Sequence, residues 1–207
     1  MGLINKYINQ TRKPEGILGT MMIKGMNIGH AKLADWGLAH LKSARPADVI
    51  DLGCGGGRNV RALMEKYPYA HVTGLDYSPL SVEQAEKFNR KALSQGRCAF
   101  MEGDVSSLDL EPESFDLATA FETVYFWPGL EQCFGEVCKI LRPGGWFMIV
   151  NESDGTDETS LKYEEKIDGM KCHTAETLEE ALRAAGFSKV RCGHHEEKPW
   201  IVVVAKK

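Results

Sequence analysis

The chain has 207 residues, 43% of them hydrophobic and 26% charged, with a formal net charge of -4 at pH 7. That length suits one domain with a decoration and a substantial core, and the mildly acidic balance disfavours nucleic acid and anionic membrane surfaces as partners. Cys54, Cys98, Cys133, Cys138, Cys172 and Cys192 are scattered, with no CxxC pair, and His194-His195 lacks cysteines at ligand spacing; reduced thiols and no metal site are expected.

In chain order, Met1 to Pro14 is polar and interrupted, too weakly apolar for a signal peptide or a membrane span, so a cytoplasmic location is expected. Gly2 does not begin a myristoylation signal, because Lys6 stands where Ser or Thr is needed. From Asn5 to Ser43 the apolar residues Ile28, Leu33, Trp36, Leu38 and Leu41 suggest a helix laid over the sheet edge or the mouth of a site.

The most informative segment follows. Val49-Ile50 reads as a strand that stops on Asp51-Leu52-Gly53-Cys54-Gly55-Gly56-Gly57 and hands over to a helix at Arg58. Strand, glycine turn and helix are the arrangement by which an α/β sheet approaches a nucleotide, since a side chain at Gly53 or Gly55 would hold the ligand off the backbone. Val60, Leu63, Met64 and Tyr67 then share one helical face, ending near Pro68.

Ala70 to Asp76 is the next expected strand, and Ser78-Pro79 caps a helix predicted to run to about Ser94. Strands are predicted at Arg97–Met101 and Phe115–Phe121, with little room for a long helix between them. A helix over about Gly129–Leu141 is expected to stop at Pro143-Gly144-Gly145, and Trp146 to Val150 is apolar enough for a strand covered on both faces. Asn151 to His173 lacks periodicity and reads as a long loop, of the kind that often binds or closes over ligands. Thr177 with Glu180 suggests a capping box for a helix closed by Gly186, and strands near Lys189–Cys192 and Trp200–Ala205 suggest a hairpin. Alternating strands and helices imply a doubly wound, mostly parallel sheet.

Asp51, Asp76 and Asp104 end the first three strands, on the rim where such sheets bind ligands. Asp76 lies about twenty residues past the glycine turn, as a ribose-binding acid should, and Asp104 is placed to reach an adenine amine. Gly53-Cys54-Gly55-Gly56-Gly57-Arg58 fits G-x-G-x-G rather than the dinucleotide pattern G-x-G-x-x-G, and no GK[ST] follows.

On these residues the chain resembles the class I S-adenosylmethionine (SAM)-dependent methyltransferases, whose first motif is commonly an acidic residue followed by x-G-x-G-x-G. The similarity extends through Gly74-Leu75-Asp76-Tyr77-Ser78, Gly103-Asp104-Val105, Phe115-Asp116-Leu117 and Leu141-Arg142-Pro143-Gly144-Gly145, over about residues 47 to 205. It implies a Rossmann-like α/β sandwich with a seven-stranded sheet and one antiparallel strand, with 1–45 as a helical cover and 46–207 as the methyltransferase domain. It further implies SAM as cofactor, contacted by Asp51, Gly53, Cys54, Gly55, Asp76, Tyr77, Asp104, Val105 and Phe121. Glu122 and Tyr125, following the fourth strand, are the catalytic candidates, with Trp127 bordering the same position. The expected partner is a small-molecule acceptor, with the chain a monomer or homodimer.

Other readings stand beside these. Asp51 also suits a helix cap, Glu122 a surface hydrogen bond, and Tyr125, Phe126 and Trp127 plain packing. His30 and His173 read first as structural, and Met21, Met22 and Met26 as helix packing. A nicotinamide-dependent oxidoreductase would use the same sheet but needs the dinucleotide turn, and a Tyr-x-x-x-Lys relay that Tyr163 and Ile167 do not supply. A non-catalytic cofactor-binding domain is the third alternative.

Overall fold

A computed structural model describes residues 7–42 and 44–207; the Gly2 and Lys6 positions lie outside it, as does Ser43. A short 3-10 turn at Asn9–Thr11 leads to helices α1 (Gly16–Gly29) and α2 (Ala31–Leu38). Strand β1 (Asp48–Leu52), helix α3 (Arg58–Lys66), strand β2 (His71–Asp76) and helices α4 (Pro79–Phe88) and α5 (Arg90–Ser94) follow. Then come β3 (Cys98–Glu102), β4 (Phe115–Phe121), α6 (Leu130–Ile140), β5 (Leu141–Asn151), α7 (Glu158–Glu164), α8 (Ala175–Ala184), β6 (Lys189–His194) and β7 (Ile201–Lys206).

The strands form one seven-stranded sheet in the order β3-β2-β1-β4-β5-β7-β6. The first five are mutually parallel, while β7 runs antiparallel to both β5 and β6. This is the doubly wound sheet with one reversed strand that the sequence implied.

Successive strand residues face opposite sides, and the apolar runs therefore fill two cores at once. Ile50, Leu52, Ala118, Ala120, Phe147, Ile149 and Val203 pack with Phe134 and Val137 of α6 and Leu178 and Leu182 of α8. Their neighbours Val49, Leu117, Met148, Val150 and Val202 meet Leu33 of α2, Val60 and Leu63 of α3 and Ala85 of α4 on the other face. Coverage on both sides is why Trp146 to Val150 of β5 reads as an unbroken apolar run instead of an alternating one.

Several boundaries differ from expectation for local reasons. Asn89 breaks the helix expected to reach Ser94, and its buried amide donates to the carbonyls of Gly57 (2.9 Å) and Ala85 (3.0 Å), tying this corner to the glycine turn. Helix α6 stops before Pro143: Leu141 is already extended (φ -78, ψ 139), and a register shift between Phe115 and Leu117 lets β5 continue through Pro143-Gly144-Gly145. Helix α8 begins three residues earlier than expected, because Thr174 is the cap; its hydroxyl accepts the Thr177 N–H at 3.3 Å. Within the stretch expected to be one long loop, Asp157 caps the short helix α7 by accepting the Ser160 N–H at 2.8 Å. The Ser78-Pro79 start is as read, with Ser78 accepting from the Ser81 N–H.

Helix α2 lies on β5 through Gly37, where an added Cβ would run into the Val150 side chain. Gly37→Ala is therefore expected to lower unfolding free energy by about 1–3 kcal/mol through overpacking. Urea titration checks this; an unshifted midpoint would show that the interface yields freely.

Candidate active site

Parallel strands place the ends of β1, β2, β3 and β4 on one rim, where a cavity of about 230 Å³ opens. Its walls include Gly53 to Gly56, Leu75 to Tyr77, Gly103 to Val105, and Phe121 to Thr123. Trp127 and Pro128 close one side, and Thr11, Arg12, Pro14, Met26 and Asn27 close another.

The glycine turn is built by backbone bonds and glycine conformations. Gly53 N–H (2.7 Å) and Cys54 N–H (3.0 Å) both donate to the Leu75 carbonyl, and Gly57 N–H closes onto the Cys54 carbonyl (2.9 Å). Gly53 and Gly55 have φ of 76° and 51°, in the left-handed region that favours glycine. The two are required for different reasons. A Cβ at Gly53 would meet the Thr123 side chain, so this glycine serves packing of the turn on β4; a Cβ at Gly55 would meet nothing within 4 Å. Only Gly55 keeps the open backbone face that the sequence reading gave to both.

Asp76 is buried, with both carboxylate oxygens hydrogen-bonded. One carboxylate oxygen accepts the Gly55 N–H (2.9 Å) and the other the Ser78 N–H (2.9 Å), so it holds the glycine turn and the start of α4 together. Burial raises its pKa, and the backbone donors pull it back. Each oxygen retains further lone-pair capacity toward the cavity. Asp104 accepts the Ser106 N–H (2.8 Å) and hydroxyl (2.7 Å) through a single oxygen. Val105 and Phe121, both buried, line the wall, and Cys54 contributes to it with a thiol whose pKa burial pushes well up. The Tyr77 hydroxyl donates to the Arg12 carbonyl, fastening the N-terminal segment over the β2 end.

Asp51 sits beneath the rim, outside the cavity wall. The β1–β4 register sets it opposite Thr119, whose hydroxyl donates to one of its oxygens at 2.8 Å, while the other, Oδ2, is buried without a partner. Burial, with the nearby Asp76 charge adding, raises its pKa to about 7. It does not cap the following helix, whose preceding residue is Gly57 with no side-chain cap.

Glu122 lines the cavity in an unusual backbone conformation for a non-glycine residue, φ 58°. Its Oε1 accepts the Tyr125 hydroxyl (3.1 Å) and the Glu152 N–H. Burial above all, with Glu152 adding, raises its pKa to about 8. Tyr125 is not on the wall: the 3-10 turn Val124–Phe126 buries it, and its hydroxyl also accepts the Ser153 N–H (3.0 Å). It stands behind Glu122, orienting that carboxylate. Trp127 keeps part of its surface on the wall while stacking on Phe147, with centroids 6.1 Å apart.

Helix α1 reaches this corner as well. The Asn27 amide donates to the Gly56 carbonyl (3.2 Å), and His30 lies with Nε2 3.9 Å from Glu122 Oε2 and 4.0 Å from Glu152 Oε2. Burial lowers the His30 pKa, against a smaller opposing effect of Glu152. The 151–173 stretch supplies no residue to this cavity wall, which the N-terminal segment closes, while Glu152 of that stretch stands beside Glu122 and His30 at its corner. Buried His173 borders a separate depression beyond Tyr125 and Trp127. Among the described residues, no helix is long and apolar enough to cross a membrane.

The reading missed Arg12, Pro14, Asn27, Asn59 and Thr123 as wall residues, and Glu152 as a neighbour of Glu122. Thr123 and Glu152 carried a usable signal, each lying just past the end of a rim strand. Asn59 did too, two residues past the glycine turn, whereas Arg12, Pro14 and Asn27 come from segments with no motif.

A family model described as a methyltransferase domain matches residues 45–199. Sterol 24-C-methyltransferase of Clavispora lusitaniae is 31% identical over 170 residues, which are 76% of this chain and 45% of that protein. The chain thus spans less than half the length of that curated relative. Among solved structures, an S-adenosylmethionine-dependent methyltransferase from Mesorhizobium loti matches with a TM-score of 0.68 at 22% identity, over 84% of this chain and 98% of that one. Phosphoethanolamine N-methyltransferase 2 of Haemonchus contortus, solved with S-adenosyl-L-methionine, matches with a TM-score of 0.73 at 16% identity, over 86% of this chain and 52% of that one. With a cavity walled by the motif residues and a family model covering most of its length, the chain belongs to the class I SAM-dependent methyltransferase family.

Proposed function

We propose that the protein transfers a methyl group from SAM to a small-molecule acceptor that enters beside Glu122. One observation carries the reading: a glycine turn with an open face at Gly55 is clamped by Asp76 and shares its cavity with Asp104 and Val105. The buried, partnerless Asp51 Oδ2 is a further polar group at the turn whose satisfaction calls for water or ligand. These residues fit the cofactor. Asp76 would receive ribose hydroxyls on its spare lone pairs, and Asp104 with the Val105 amide would meet the adenine. Tyr77 would flank it, Gly53, Cys54 and Gly55 would follow the methionine portion, and Phe121 would border the reactive end.

SAM when bound supplies an activated methyl group, so the protein's own work is positioning and water exclusion. Arg12, Pro14, Met26 and Asn27 close the cavity from the N-terminal side, which restricts water. Glu122, with its pKa near 8, is suited to accept a proton from the acceptor close to neutral pH. Tyr125 holds the oxygen on which Glu122 is fixed and acts as a positioning residue.

Asp76→Ala is expected to weaken SAM binding by about 1.5–3 kcal/mol, the loss usual for charge-assisted hydrogen bonds; titration calorimetry showing unchanged affinity would remove the ribose role. Gly55→Val should abolish binding while circular dichroism keeps the wild-type helical signal.

Glu122→Gln makes a separate prediction about stability. A carboxyl whose folded pKa is raised from 4.5 to about 8 takes up a proton on folding between those values, so stability falls as pH rises through that window. Removing the titration should make the variant melt higher than wild type at pH above about 8 and not near pH 4, while its turnover collapses and its SAM affinity stays. Asp51, shifted upward in the same sense, leaves a residual slope in both proteins. Parallel melting curves across pH would show that Glu122 ionises freely.

A further inference from the structure

The corner where α1, β4 and β5 meet brings together two carboxylates and an imidazole. His30 Nε2 lies 3.9 Å from Glu122 Oε2 and 4.0 Å from Glu152 Oε2, and one ligand atom from each residue lies within 4.8 Å of the others. Among the described residues, no lysine or arginine forms an ion pair with either carboxylate. Glu122 has one oxygen committed to Tyr125 and the Glu152 N–H, which leaves Oε2 turned toward His30. A mostly buried carboxylate beside a second acid is costly unless a positive group arrives. His30 is not that group, because burial favours its neutral form, which offers a lone pair.

We propose that His30, Glu122 and Glu152 seat a protonated amino group of the methyl acceptor, so that the substrate is an amine-bearing small molecule. This rests on the methyltransferase reading for the word acceptor, and on the geometry of the corner for the word amine. Three acceptors around an ammonium nitrogen, each at about 2.8 Å and at the tetrahedral angle, stand about 4.6 Å apart. The two His30 separations, 3.9 and 4.0 Å, fall about 0.6–0.7 Å inside that spacing, a difference that the exposed Glu152 side chain can take up, and the third is no more than 4.8 Å. Magnesium, octahedral at about 2.0–2.1 Å, draws neighbouring ligand atoms to about 2.8–3.0 Å, and zinc, tetrahedral at about 2.0–2.2 Å, to about 3.3–3.6 Å, which would require moving a Glu122 fixed on its other oxygen. Calcium at about 2.3–2.6 Å is also tighter than the corner as it stands. Glu122 belongs to the cavity wall, as does Asn27 one turn before His30, so a molecule anchored here by its amine extends directly into the cavity.

The test titrates the isotope-labelled full chain, with and without S-adenosylhomocysteine, using n-butylamine, n-butanol, magnesium chloride and calcium chloride, and follows the amide signals of Glu122 and Glu152. The amine is expected to bind at least about tenfold more tightly than the alcohol, and that preference to vanish in Glu152→Gln and in His30→Gln. Both variants should keep wild-type circular dichroism and S-adenosylhomocysteine affinity, and Glu152 is exposed enough that its change should not disturb folding. Equal binding of amine and alcohol, no binding of either, a preference that survives both substitutions, or a metal ion binding more tightly than the amine would each overturn the proposal. Failure of S-adenosylhomocysteine to bind the wild-type chain would instead overturn the methyltransferase reading, and the titration without it still decides the amine seat.

Discussion

The site depends on Asp76. Among the described residues, its carboxylate is the only side chain that joins the turn after β1 to the helix start after β2, through one backbone N–H on each. A glycine-rich turn has little of its own to hold it, since glycine loses the most conformational freedom on ordering. Here the turn is fixed from below by the Leu75 carbonyl, from the side by Asp76, and from behind by the Asn89 amide on Gly57. Because these partners all come from the next βα unit or its end, the binding face forms only when the first two units are docked in register.

That register is supplied by the two-sided core. Ile50 and Val49 look in opposite directions into separate apolar clusters, and a slip of one residue would exchange both. The same register sets Asp51 opposite Thr119, and the ends of β1 and β4 level with one another. Glu122 is therefore placed by backbone geometry before any side-chain contact acts, and Tyr125 then fixes the direction of its carboxylate.

Much of this was legible in the residues, because the physics involved is local. The β4 bounds Phe115 and Phe121, the Ser78 cap and the acids at the strand ends follow from a turn signal before an apolar-rich run, capping and the order of elements. What escaped was non-local or had competing local signals. Thr174 and Thr177 both offer hydroxyls near the start of α8, and Thr174 prevails because its backbone is extended (φ -73, ψ 161), as a cap requires. Arg12 and His30 approach the rim only because α1 folds back across it, anchored by Asn27 on Gly56 and by the Tyr77 hydroxyl on the Arg12 carbonyl. Nearness to the strand end makes Tyr125 a catalytic candidate in the sequence, but a single 3-10 turn buries it behind Glu122.

The reversed strand carries a consequence for how the molecule is made. β6 precedes β7 in the chain, yet among the described strands it touches the sheet only through β7, which lies between it and β5. During synthesis β6 emerges as an orphan ribbon with neither edge satisfied, and β5 offers a bare flank for as long as the intervening strand is absent. Insertion of β7 zips both edges at once. The interval before that insertion is when the nascent polypeptide is most open to pairing with the wrong neighbour.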